Sequence, residues 1–156
     1  MMADDEPFVL DGLSPEIQAM MGVYALYWKV DESIDAIRPD LTRQESHMLI
    51  KLDRPKRMGV LACDMMMAPS SLTASADALE QAGHITRQRD PEDRRAWLLV
   101  LTEQGEAARN DLVTKAGELF RHASGLNTQE TEVFAELARK IRDNILKTGI
   151  PEGLKK

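Results

Sequence analysis

The changing periodicity of this chain predicts a mainly α-helical protein carrying one small β-hairpin. Long stretches on either side of the middle keep the apolar spacing of a helix, while one segment near residue 85 switches to the two-residue alternation of a strand. Helix-starting and helix-ending residues punctuate the chain at the matching places. Length agrees with this outline, since 156 residues suffice for one domain, or two small ones sharing a core, without a metal or disulfide staple.

Taken in order, the first helix is expected from Pro15 to Ile37, with Ser14 at the cap position and proline at the first helical residue. Ile17, Met20, Met21, Tyr24, Tyr27, Trp28 and Ile34 keep a helical period, and Val23, Leu26 and Val30 widen the apolar surface beyond one stripe. A helix apolar on more than one face needs cover on more than one side, and a partner subunit is one way to supply it. Arg38-Pro39-Asp40 breaks it. Thr42 and Glu45 have capping-box spacing and open a second helix through Met48, Leu49 and Leu52, which Pro55 ends.

Val60 to Met65 reads as a short third helix, and Ala68-Pro69 separates it from a fourth over Pro69 to Ala82, with Gly83 in the left-handed position that follows a helix. The fourth helix has a thin apolar stripe of Leu72, Ala76 and Leu79. Its other side carries Ser70, Ser71, Thr73, Ala74, Ser75 and Ala78, all small. Ile85 to Arg89 then reads as a strand with Ile85, Arg87 and Arg89 on one side, and Asp90-Pro91-Glu92-Asp93 is turn chemistry. Ala96 to Leu101 is the returning strand, so Asp93, Arg94 and Arg95 lie at a hairpin tip. Thr102 caps a helix reaching Ser124, with Ala108, Leu112, Ala116, Leu119 and Ala123 on one face. After Gly125, Asn127 and Glu130 repeat the capping-box spacing before a last helix with Val133, Phe134, Leu137, Ile141 and Ile145. The two ends read as short polar, disordered tails.

Net charge is −6, which argues against nucleic acid only as an average. Residues 1–40 hold nine acids against two bases, whereas residues 41–101 hold eight acids against nine bases. Arg54, Lys56 and Arg57 form one basic cluster there, and Arg87, Arg89, Arg94 and Arg95 another. Local patches decide phosphate contacts, although most charge clusters are plain solvated surface. The single cysteine, Cys63, cannot close an intrachain disulfide. With no cationic neighbour in sequence to activate it, it reads as a buried, inert thiol rather than a redox sensor. His47, His84 and His122 are singletons, so metal binding is not expected. The Met65-Met66-Met67 run reads as adaptable core filling. No apolar run approaches a membrane span, and the acidic start from Met1 to Leu10 is wrong for a secretory signal, so a cytoplasmic protein is expected. No phosphate loop, nucleophile elbow or catalytic triad spacing supports an enzyme.

Two short helices, a turn, a third helix with small polar residues outward and then a two-stranded hairpin is the order of a winged helix-turn-helix. A recognition helix must be slim and able to hydrogen-bond to enter the major groove, and arginines on a hairpin tip can reach the neighbouring minor groove. The residues that carry a family likeness are Leu72-Thr73, Asp77-Ala78-Leu79-Glu80-Gln81-Ala82-Gly83-His84-Ile85-Thr86-Arg87, Asp90-Pro91-Glu92-Asp93-Arg94-Arg95 and Leu101-Thr102-Glu103-Gln104-Gly105. Over about residues 41–110 the chain resembles MarR-family transcriptional regulators.

The resemblance implies a homodimer. Residues 1–37 and 103–156 would form a helical dimerisation domain and residues 38–102 the winged helix-turn-helix. It also implies a ligand-responsive repressor on a pseudo-palindromic double-stranded operator, needing no cofactor and released by a small phenolic or carboxylate effector. By the motif, Arg95 would enter the minor groove, Asp93 would brace it, and Arg94 would meet phosphate. Arg89, Ser70, Ser71, Thr73, Ser75, Lys56 and Arg57 complete the expected DNA contacts, and Tyr24, Trp28 and His47 are candidates to line an effector cavity. One departure stands out: family members often carry a base where this chain has Ala74, and Pro69 to Ala82 holds two acids and no base. That, with the acidic first third, modestly favours the rival reading of a winged-helix protein-interaction module that has lost DNA binding, which the intact wing Asp93-Arg94-Arg95 opposes.

Overall fold

The computed structural model describes residues 10–149; the tails expected at 1–9 and 150–156 lie outside the described residues. Six helices and three short strands follow one another as α1 (Pro15–Ile37), α2 (Arg43–Lys51), β1 (Lys56–Arg57), α3 (Met58–Asp64), α4 (Pro69–Gln81), β2 (Ile85–Arg89), β3 (Trp97–Leu101), α5 (Glu103–Ser124) and α6 (Thr128–Thr148). The chain divides into two compact units between Phe120 and Arg121.

In the first unit the core is the winged helix itself. Met48, Leu49 and Leu52 from α2 and its end, Leu61 and Ala62 from α3, and Leu72, Ala76 and Leu79 from α4 are buried together with Ile85, Leu99, Ala108 and Leu112. The thin α4 stripe is thus its whole anchor, and every other side chain of that helix is at least partly exposed. Thr42 and Glu45 form the expected reciprocal cap, with the Glu45 amide donating to Thr42 Oγ1 at 3.2 Å and the Thr42 amide to Glu45 Oε2 at 2.8 Å. Arg109 of α5 donates to the Ile50 carbonyl at 3.2 Å, satisfying one of the unpaired acceptors at the end of α2.

The sheet is antiparallel in the order β1-β3-β2. Sequence reading misses β1 because two residues are too few to show an alternation. Several boundaries also move: α2 ends at Lys51 before Pro55, α3 runs from Met58 to Asp64, α4 ends at Gln81, and β3 begins at Trp97. Ala96 stays in the turn, its amide donating to the Asp93 carbonyl at 2.8 Å.

The Leu101-Thr102-x-x-Gly105 run has a physical reason. Thr102 Oγ1 donates to the Gly83 carbonyl at 2.6 Å and accepts from the Gly105 amide at 3.1 Å, tying the start of α5 to the end of α4. A Cβ on Gly105 would lie 1.9 Å from the His84 carbonyl oxygen, so only glycine permits that approach. Gly83, at φ +78°, takes the expected left-handed position after α4.

Two expectations are corrected. Cys63 is exposed, not buried, because α3 turns only Leu61 and Ala62 inward. The methionine run is not core filling throughout, since Met66 and Met67 are exposed and Met66 takes a left-handed φ of +55° in the α3–α4 turn. In the second unit, α6 opens with the Asn127–Glu130 capping box and leaves Val133, Leu137, Ile141 and Ile145 exposed.

Candidate nucleic-acid interface

Helix α4 presents Ser70, Ser71, Thr73 and Ala74 fully outward, with Ser75 half-buried. Gln44 of α2 donates to the Ser71 carbonyl at 2.8 Å and fixes the first turn of α4 against its neighbour. The two acids of α4 are not bare. Arg87, projecting from the face of β2 that also carries buried Ile85, donates to Asp77 Oδ1 at 2.6 Å and to Glu80 Oε2. These two carboxylates hold the guanidinium charged, with Asp77 contributing most. A helix with no base thus has half of its negative charge offset by a cation from the next element. The alternation along β2 carries a signal for this, since it places Arg87 beside the Asp77/Glu80 pair at i, i+3.

The wing is a turn built from its own polar groups. The Asp90 amide donates to the Ala96 carbonyl at 3.1 Å, Asp90 Oδ1 accepts from the Glu92 amide at 2.9 Å, and Asp93 Oδ1 accepts from the Arg95 amide at 3.1 Å. Arg57 holds the base of the turn through Asp90 Oδ2, at 2.7 Å from Nε and 2.6 Å from a terminal nitrogen. The Glu92 amide first, and the Arg57 guanidinium after it, keep the Asp90 carboxyl below its ordinary range. Asp93 therefore braces the backbone of Arg95 rather than its guanidinium, and it also lies 3.8 Å from Arg57. Arg89 lies over the Trp97 ring at 3.9 Å and donates to the Arg94 carbonyl at 3.0 Å.

The cations expected to meet DNA thus fall into two groups. Lys56 does not fit as a phosphate contact: only 6% exposed, its ammonium meets the Lys51 carbonyl at 2.7 Å, Asp64 at 2.6 Å and Asp53 at 2.6 Å. Three acceptors use all three N–H donors. Burial by itself would lower the Lys56 pKa, but the two carboxylates outweigh it and the net shift is upward. Arg57 is half-exposed yet committed to Asp90. Among the described residues, Arg94 and Arg95 have exposed side chains with no carboxylate or hydrogen-bond acceptor. They stand at the tip of the hairpin whose inner face meets α4.

The remaining three candidates lie on α1 and α2. Tyr24 and Trp28 are neighbours one turn apart, their rings 6.3 Å between centroids and tilted by 30°, and both are well exposed. His47 faces Asp31 instead, with Nε2 3.2 Å from Oδ1. Arg43 spans Asp31 Oδ2 and Asp35 Oδ2 at 2.8 Å each, while the buried Asp31 Oδ1 that faces His47 has no hydrogen-bond partner.

Comparison with known proteins agrees with this geometry. The MarR family model matches residues 41–97, the stretch from just before α2 to the first residue of β3. The chain is 30% identical over 113 residues, 72% of its length, to the transcriptional repressor MprA of Escherichia coli K12, and 31% identical over 78 residues to the HTH-type transcriptional regulator MhqR of Bacillus subtilis. Residues 41–97 belong to the MarR family.

That family is one of transcriptional regulators rather than enzymes. The match spans a little over half the length of these MarR-type relatives, 60% of MprA and 54% of MhqR. The fold is shared more widely. The structure of CouR from Rhodococcus jostii RHA1, bound to p-coumaroyl-CoA, superposes with a TM-score of 0.67 at 21% identity, covering 91% of this chain and 99% of that one. No helix among the described residues is long and apolar enough to cross a membrane.

Proposed function

We propose that this chain is a cytoplasmic transcriptional regulator that binds a pseudo-palindromic operator as a homodimer. The reading rests on one observation above others. The winged helix commits Arg43, Arg54, Lys56, Arg57 and Arg87 to carboxylates, yet leaves Arg94 and Arg95 open at the wing tip beside a slim α4 whose two acids are capped by Arg87. A hairpin tip with two free guanidinium groups suits a phosphate backbone and a narrow minor groove. Ser70, Ser71, Thr73 and Ser75 then meet the major groove as short hydroxyl contacts, without the bidentate arginine–guanine pair. Specificity therefore leans on DNA shape and on the wing.

The dimer is supported by apolar surface. Met20, Tyr24, Tyr27 and Trp28 of α1 are between 58% and 66% exposed in the single chain, and α6 carries its own exposed apolar row. Exposed apolar surface on this scale marks an interaction face, and residues 1–37 and 103–156 are its proposed dimerisation elements. A repressor released by a phenolic or carboxylate effector is the reading taken from relatives: MprA is described as a repressor, and CouR holds an aromatic acyl-CoA.

A mobility shift with the purified chain on DNA just upstream of its own gene tests the function, with light scattering on the same sample. Retardation of that DNA but not of random duplex, by a species of twice the chain mass, is expected. A folded monomer that ignores both DNAs would leave the protein-interaction reading in its place.

A further inference from the structure

Arg89 stands among the expected DNA contacts, but its surroundings give it another role. Arg89 and Trp97 are the last directly opposed pair of β2 and β3, so their side chains share one face. Two residues inward on that face Leu99 is buried, whereas Trp97 is 46% exposed. The indole has passed the edge of the core, and what covers it is the Arg89 guanidinium, 3.9 Å from the ring centroid. The same guanidinium reaches over the turn to the Arg94 carbonyl at 3.0 Å. Within the turn, the Asp90 amide, the Ala96 amide and the Arg95 amide are already bound to acceptors inside it. The Arg94 carbonyl, midway between the two free arginines, is held from below by Arg89. Neither Arg89 partner is a carboxylate, so no acid offsets its charge next to the tip.

We propose that Arg89 is a positioning residue: stacked on Trp97 and bonded to the Arg94 carbonyl, it fixes the backbone that presents Arg94 and Arg95. The inference rests on the reading that this wing meets DNA. An ordered tip loses less conformational freedom on binding, so the brace acts on affinity through preorganisation rather than through a contact of its own.

The test compares Trp97→Leu, Trp97→Phe, Arg89→Gln and the Arg89→Gln/Trp97→Leu double variant in the full chain. Trp97 is half-exposed, so these changes leave the core intact. NMR relaxation of the Arg94 and Arg95 amides in the free protein reads the brace without DNA; titration of the upstream duplex reads its consequence. Trp97→Leu and Arg89→Gln should each loosen both amides and weaken binding about fivefold, the scale of a surface cation–π contact with one hydrogen bond. The double variant should be no worse than either single one, and Trp97→Phe, which keeps an aromatic face, should restore most of the order and affinity. Wild-type order and affinity in Trp97→Leu would overturn the proposal. So would losses that add in the double variant, because Arg89 would then act on DNA without Trp97. If the wild-type chain ignores the duplex, the DNA reading fails, and the relaxation measurement still decides whether the brace exists.

Discussion

The Arg87 guanidinium donates to the Asp77 carboxylate at 2.6 Å, joining β2 to the outer side of α4. Glu80 shares the same guanidinium. Without it, α4 would present two uncompensated carboxylates toward a polyanion. Arg87→Gln should therefore weaken operator binding beyond any loss of stability, and adding Asp77→Asn and Glu80→Gln should recover it. Dissociation constants for the three proteins, beside their melting temperatures, check this. An unchanged constant for Arg87→Gln would show that the acids do not face the DNA field.

Gly105 offers a test of the fold alone. Alanine in a helix gains about 1 kcal/mol over glycine, yet a Cβ here meets the His84 carbonyl at 1.9 Å. Gly105→Ala should lose about 2 kcal/mol net through overpacking against backbone. Gly59→Ala in α3, where nothing lies within 4 Å, should gain a little instead. Paired denaturant unfolding curves give both signs.

Met66 sits at φ +55° with its side chain largely in water. A left-handed conformation costs a residue with a Cβ about 1 kcal/mol, so Met66→Gly should stabilise the chain by about that much. Met66→Ala should do nothing, because alanine keeps the strain. A rise in melting temperature for the glycine variant alone is the expected result.

These cases show what was legible in the sequence. The buried stripe Leu72, Ala76 and Leu79, the capping pairs Thr42–Glu45 and Asn127–Glu130, and Gly83 after α4 are local signals, each carried within a few residues. Lys56 was not legible, because its three acceptors come from α2, the loop after it and α3, and only the folded chain brings them together. The Arg89 stacking was hidden for the same reason: its partner Trp97 is eight positions away, and strand register alone makes them neighbours. Exposure of Cys63 was equally hidden, since a seven-residue helix is too short for its buried face to be read from spacing.

Acid stability follows from Arg38 and Asp40. The Arg38 guanidinium donates twice to Asp40, at 2.8 and 2.6 Å, and pulls its pKa from 3.8 down to about 2. A lowered folded-state pKa means the unfolded chain takes up the proton first, so this stabilisation is complete above pH 3.8 and is lost as pH falls toward 2. Asp40 is half-exposed, so the effect is small. Asp40→Asn should flatten stability between these two pH values, as read from urea midpoints.

Arg95 carries the central claim, that an open guanidinium at the wing tip enters DNA. Binding of the wild-type chain and of Arg95→Ala to the upstream duplex and to random duplex, each over a range of salt, measures it directly. The account predicts at least about a tenfold loss for Arg95→Ala on the upstream duplex and a smaller loss on random DNA. Lys56→Met, in a variant that still folds, should keep the wild-type salt slope, because that ammonium has no donor left for phosphate. Equal affinity of Arg95→Ala and wild type for the upstream duplex would contradict the account.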